Sequence, residues 1–176
     1  AKLKNGQTVT LATFGDSITW PCFHTDYRQN YITFAVDALR LAYPRADIRI
    51  VHAGNMGTTG RGLGKTRFER YALAYQPDLV FIMFGMNDCT GGKNNLELFT
   101  DQLARLVQKT SASGATPVIC TQNEILYDSP SGKTRKSLPL YMARALEVAR
   151  HEKVITVDCF ADWSPLKNHR DDLVAR

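Results

Sequence analysis

Thr8-Val9-Thr10-Leu11-Ala12-Thr13-Phe14 runs directly into Gly15-Asp16-Ser17-Ile18-Thr19-Trp20. The first seven residues are β-branched or apolar and read as a strand, and the glycine and aspartate that follow end it. A serine hydroxyl is thereby set where a strand hands over to a loop. Two later junctions have the same form. The β-branched run 47–52 leads through His52-Ala53-Gly54-Asn55, and Leu79-Val80-Phe81-Ile82-Met83-Phe84 leads into Gly85-Met86-Asn87-Asp88.

Between these runs the apolar period changes to that of a helix. Tyr31, Phe34, Ala35, Ala38, Leu39 and Ala42 form one stripe, closed by Pro44, and Phe68, Tyr71, Ala72 and Tyr75 form another, closed by Pro77. Leu96, Phe99, Leu103, Leu106, Val107 and Thr110 mark a third helix that ends at the Gly114 turn. A fourth strand is expected over 117–121, a polar exposed loop over 123–137, a helix over 140–151 and a fifth strand over 154–157. Strands alternating with helices at this spacing predict an α/β protein, a three-layer α/β/α fold. The expected core is a flavodoxin-like sheet of five parallel strands in the order 2-1-3-4-5. Ligands of such sheets bind outside the carboxyl ends of the strands, where the order reverses. Strand one then lies between two and three, and Ser17, Gly54 and Asn87 face one crevice.

The 176 residues, 44% of them hydrophobic, suffice for one compact domain with its own core. The formal charge of +5 comes from Lys and Arg scattered along the whole length, with no basic block or aromatic-interleaved stripe, which argues against a nucleic-acid partner. No stretch approaches the roughly 18 apolar residues of a membrane span. Cys22, Cys89, Cys120 and Cys159 include no C-x-x-C pair and no tight Cys/His spacing, so no zinc site is expected. They read as ordinary buried or reduced thiols, with a Cys22–Cys89 pair between neighbouring strands as the alternative. Gly60-Arg61-Gly62-Leu63-Gly64-Lys65-Thr66 invites a phosphate-loop reading that its spacing refuses. G-x-x-x-x-G-K-[ST] needs glycine where Thr59 stands, and G-x-G-x-x-G needs one where Lys65 stands. The G-x-S-x-G elbow fails as well, at Thr19.

A serine hydroxyl attacks an ester only with a base to take its proton and donors to hold the charge that develops on the carbonyl oxygen. The backbone N–H groups of Ser17 and Gly54 and the side-chain amide of Asn87 are the candidate donors. Taken singly, each segment reads as a turn. Three of them in order, each closing a successive strand, point to catalysis.

In these three blocks the chain resembles the SGNH (GDSL-type) serine esterases and lipases. Gly15-Asp16-Ser17-Ile18 matches the nucleophile block, His52-Ala53-Gly54-Asn55-Met56-Gly57 the glycine block and Gly85-Met86-Asn87-Asp88 the G-x-N-D block. The resemblance implies that Ser17 is the nucleophile and an oxyanion donor, with Gly54 and Asn87 the other donors. It also implies an acyl-enzyme mechanism that needs no metal or organic cofactor. The family's base is a histidine preceded three residues earlier by aspartate, and this chain has Leu166 where His169 would need that aspartate. Asp171 to Arg176 reads as the approach to such a D-x-x-H block, so the expectation is a single domain over 1–176 lacking that segment, with His169 as a displaced base the alternative. His52 stands where the glycine block usually carries asparagine, and a structural hydrogen bond to a neighbouring loop is expected of it. The absence of a long apolar lid favours a small acyl group, such as acetyl on a carbohydrate. A non-catalytic carbohydrate- or lipid-binding module on the same scaffold is the rival reading.

Overall fold

In the computed structural model of the chain, residues 1–20, 29–60 and 65–165 are described. Strands β1 (Val9–Gly15), β2 (Ile48–His52), β3 (Leu79–Met83), β4 (Thr116–Cys120) and β5 (Ile155–Val157) form a parallel sheet in the order β2-β1-β3-β4-β5. That is the expected order. Helices α1 (Tyr31–Ala42), α2 (Lys65–Tyr71), α3 (Leu96–Ala112), α4 (Pro130–Lys133), α5 (Leu138–Glu152) and α6 (Cys159–Trp163) complete the described elements, apart from short 3-10 segments.

Successive β1 side chains point to opposite faces, which divides the core in two. Val9 and Leu11 pack with Ile32 and Val36 of α1 on one side. On the other, Ala12 and Phe14 join Phe68 of α2, Phe99 of α3 and Tyr141 of α5. The Phe14 ring lies 4.6 Å from that of Phe68 and 5.4 Å, edge-on, from that of Phe84. The register sets Thr13 opposite His52 and Gly15 opposite Met83. The chains leaving β1, β2 and β3 therefore emerge side by side at one edge of the sheet.

Two expected stripes are rotated from those observed. In α1 the fully buried residues are Ile32 and Val36, whereas Phe34, Ala38 and Ala42 face outward. Apolar residues occupy both sides of this helix, so periodicity alone does not select the buried one. In the second stripe Phe68 and Ala72 are buried, but Tyr71 and Tyr75 are exposed because α2 stops at Tyr71 and a 3-10 turn carries Tyr75 outward. The α3 stripe is as expected, with Phe99, Leu103, Leu106, Val107 and Thr110 all buried. The polar segment 123–137 is not all exposed loop. Ser129 accepts the Gly132 N–H at 3.0 Å to cap the single turn of α4, and Glu124 and Gly132 are buried. The unforeseen α6 is capped in the same way by Asp158.

Phe14 joins three elements in the larger half of the core, so Phe14→Ala should cost about 3–5 kcal/mol. Urea unfolding measures this, and a loss below about 1 kcal/mol would show that the site collapses without Phe14.

Candidate active site

β1 ends at Gly15 because nothing larger fits. A Cβ there would fall on the Thr19 hydroxyl and lie 2.5 Å from the Met83 carbonyl oxygen. The turn that follows is organised by Asp16. Its carbonyl accepts the N–H groups of Thr19 and Trp20, both at 3.1 Å, and its Oδ1 accepts the Ile18 N–H at 3.0 Å. Its Oδ2 accepts Gln122 Nε2 at 2.9 Å. Ser17 sits inside this knot of bonds and stays half-exposed.

The Gly54 loop lies against that turn. Ala53 donates its N–H to Thr13 O and Asn55 donates to Gly15 O, at 2.9 and 3.0 Å. A Cβ on Gly54 would stand 3.3 Å from Trp20 N and 3.4 Å from Asp16 O, so glycine is what permits the approach. The third loop is tied to the second. Asn87 Nδ2 donates to Thr58 O at 2.9 Å, and Asp88 Oδ2 accepts the N–H groups of Gly60 and Gly85, each at 3.2 Å. An amide nitrogen carries two hydrogens, so Asn87 Nδ2 retains a second donor beyond the Thr58 bond.

Ser17 and Asn87 line one pocket of about 620 Å³, together with Met86, Asn123, Arg135 and Trp163. Gly54 is not part of its lining; it backs the Ser17 turn. The segment 123–137 reaches this pocket through Asn123 and Arg135. Arg135, Gln122, Asn30 and Trp163 are residues around the site that sequence reasoning did not single out. Gln122 follows the carboxyl end of β4, as Ser17, Gly54 and Asn87 follow theirs, and that position was a signal for it. Arg135 lies in Lys133-Thr134-Arg135-Lys136, which reads as an ordinary solvated turn.

Burial pushes the Asp16 carboxyl up to about 7. The Ile18 N–H bond works against this, the nearby Asp88 adds to it, and Gln122 and Arg135 oppose it. Burial also lifts Cys89 to about 11 and Cys120 to about 12, and raises Cys159, so these free thiols are poor nucleophiles near neutral pH. Cys22 lies outside the described residues, as do His24 and His169. The hydrogen bond expected of His52 is not formed at its buried Nδ1, which has no partner among the described residues. Its ring instead meets Trp20 edge-on with centroids 6.4 Å apart, and burial lowers its pKa. No histidine occurs among the described residues that line the pocket. The described residues contain no group of three or more His, Cys, Asp or Glu able to hold a metal ion, and no helix long and apolar enough to cross a membrane.

The family model of GDSL-like lipases and acylhydrolases matches residues 13–176. The chain belongs to the GDSL-like lipase/acylhydrolase family. That is the family its three blocks resemble. An acetylxylan esterase of Geobacillus stearothermophilus is 43% identical over 58 residues, which make up 33% of this chain and 26% of that protein. The crystal structure of Axe2, an acetylxylan esterase from the same organism, superposes with a TM-score of 0.75 at 26% identity, over 91% of this chain and 80% of that one. Catalytic mutants of Axe2 replace a serine, an aspartate or a histidine with alanine. A two-domain esterase active on acetylated mannans matches with a TM-score of 0.70 at 25% identity, over 89% of this chain and 38% of that one.

The raised carboxyl of Asp16 makes a prediction about stability. Between pH about 4 and about 7 the folded chain holds a proton on Asp16 that the unfolded chain releases. Stability therefore falls as pH rises through that window, by up to about 1.4 kcal/mol per pH unit, and Asp16→Asn lacks this loss. Urea unfolding at several pH values should show the variant gaining on the wild type from pH 4 to 7. A constant difference would mean that Asp16 is ionised throughout.

Proposed function

We propose that the chain is a serine esterase that removes small acyl groups, acetyl above all, from carbohydrate esters. The observation that carries this reading is the meeting of Ser17 and Asn87 in one pocket, with Gly54 packed against the serine turn. The acetyl-sugar preference is supported by what the similar structures are described as acting on, acetylxylan and acetylated mannans. The rival reading, a binding module without turnover, draws no support from the family match.

In this mechanism Ser17 Oγ attacks the ester carbonyl carbon and its proton passes to a base. The carbonyl oxygen becomes an oxyanion, held by the N–H groups of Ser17 and Gly54 and by the second Asn87 Nδ2 hydrogen. Collapse of the tetrahedral intermediate expels the sugar hydroxyl, which takes up the proton, and leaves acetyl on Ser17. Water repeats the attack and releases acetate. The Asn87 bond to Thr58 O, and the Ala53 and Asn55 bonds on either side of Gly54, support donors that are set before substrate arrives. His169, the alternative base in the sequence reading, lies outside the described residues.

Acetate release from acetylated xylo-oligosaccharides should fall at least about a thousandfold in Ser17→Ala. A fluorophosphonate should label the wild type on the Ser17 peptide, as read by mass spectrometry. Release that is unchanged in Ser17→Ala, or a fluorophosphonate adduct on another residue, would overturn the reading. Asn87→Ala should lower kcat by about a hundred- to a thousandfold while changing KM much less, because the lost donor acts on the transition state. Steady-state kinetics separates the two.

A further inference from the structure

Arg135 lies between α4 and α5, and its backbone is fixed at both ends. Its N–H donates to Gly132 O and its carbonyl accepts the Leu138 N–H, both at 2.9 Å. Its side chain turns into the pocket and is half-buried. Nε donates to Met86 O at 3.0 Å and Nη1 to Ser131 O at 2.8 Å. Both acceptors are neutral carbonyls. Arg40, Arg49 and Arg144 each pair with a carboxylate at the surface, whereas Arg135 forms no ion pair with a described residue. A guanidinium has five N–H donors, so three remain beyond these two bonds.

Among the described residues that line the pocket, Arg135 alone is charged; the other polar groups there are neutral asparagine, serine and tyrosine side chains and a cysteine thiol. Asp16 and Asp88 lie behind the wall, 1% and 0% exposed, Glu124 is buried between Asn123 and Ile125, and Asp158 and Asp162 act on Cys159 at the α6 end; none of the five lines the pocket. Asp16 is engaged by Ile18 and Gln122, and Asp88 Oδ2 by Gly60 and Gly85. The space beside Ser17 thus faces a fixed planar cation with unspent donors. A planar fork in a partly desolvated wall matches a carboxylate, which can take two parallel N–H bonds. Trp163, on the same pocket, offers the apolar face that a pyranose ring needs.

We propose that Arg135 makes this pocket a receptor for a sugar carboxylate, so that the ester presented to Ser17 is carried by an acidic saccharide, a uronic acid or a uronate-bearing oligosaccharide. The inference refines the esterase reading and rests on it for the identity of the reacting group; the carboxylate site itself can be tested without turnover. Isothermal titration of the wild-type chain should give D-glucuronate at least a tenfold lower Kd than D-glucose. Arg135→Gln should abolish that preference and Arg135→Lys should keep only part of it, since lysine retains charge without the fork. Equal binding of glucuronate and glucose by the wild type would overturn the proposal whatever the variants do. Tighter binding of glucose 6-phosphate than of glucuronate would overturn the carboxylate assignment. A glucuronate preference without acetate release from any acetylated sugar would leave the receptor standing and remove the esterase reading. Acetate release without that preference would do the reverse.

Discussion

The carboxylate of Asp88 accepts the N–H groups of Gly60 and Gly85 on one oxygen, and the rest of the site depends on that pair of bonds. Gly85 begins the loop after β3, and Gly60 lies at the far end of the loop that carries Gly54. Joining them closes the second loop down onto the third. Asn87 repeats the junction one residue earlier through Thr58 O, and Thr58 Oγ1 in turn donates to Gly15 O at 3.3 Å. Loop backbone that leaves a sheet must find partners for its polar groups, and here those partners are the other loops. The same bonds that satisfy the backbone hold Ser17, Gly54 and Asn87 in place. A site assembled from three separate loops is thereby held nearly as firmly as one built on a single element.

This arrangement buries two acids on one side of the sheet. Asp16 shapes the serine turn and Asp88 fastens the loops, and the nearby Asp88 adds to the cost of ionising Asp16. Gln122 and Arg135 offset part of that cost from positions distant in sequence, just after β4 and in the α4–α5 turn. Stability above pH about 4 is given up to hold Ser17 in a turn organised by the Asp16 side chain, which serves a backbone donor and a side-chain donor at once. Arg135 has two consequences from one position. It holds Met86 O beside Asn87, and it leaves a cation facing the pocket.

The strand order and the strand ends were legible because parallel strands buried on both faces write continuous apolar runs, and the residues that follow them are free to be polar. Ser17, Gly54 and Asn87 could be found from that rule alone. The buried side of α1 could not be, since Phe34 and Leu41 are apolar yet 61% and 84% exposed. Tyr71 and Tyr75 mislead for the same reason. Arg135 was illegible for a different one. Nothing local separates it from Lys133 and Lys136, and its meaning comes from a contact with Met86, 49 residues earlier. Gln122 falls between these cases, because its position was readable while its partner, Asp16, is 106 residues away.

The serine turn is anchored at its far end as well. Asn30 Nδ2 donates to Thr19 O at 2.7 Å, while its Oδ1 accepts the Thr33 N–H at 3.3 Å and so caps α1. One buried side chain therefore joins the last residues of the Ser17 loop to the first turn of the helix that packs on β1. The serine turn and the pocket wall are in this way built largely from different residues. The turn, its glycine and its two anchors fix where the Ser17 hydroxyl stands, while the wall that faces it runs from Arg135 to Trp163.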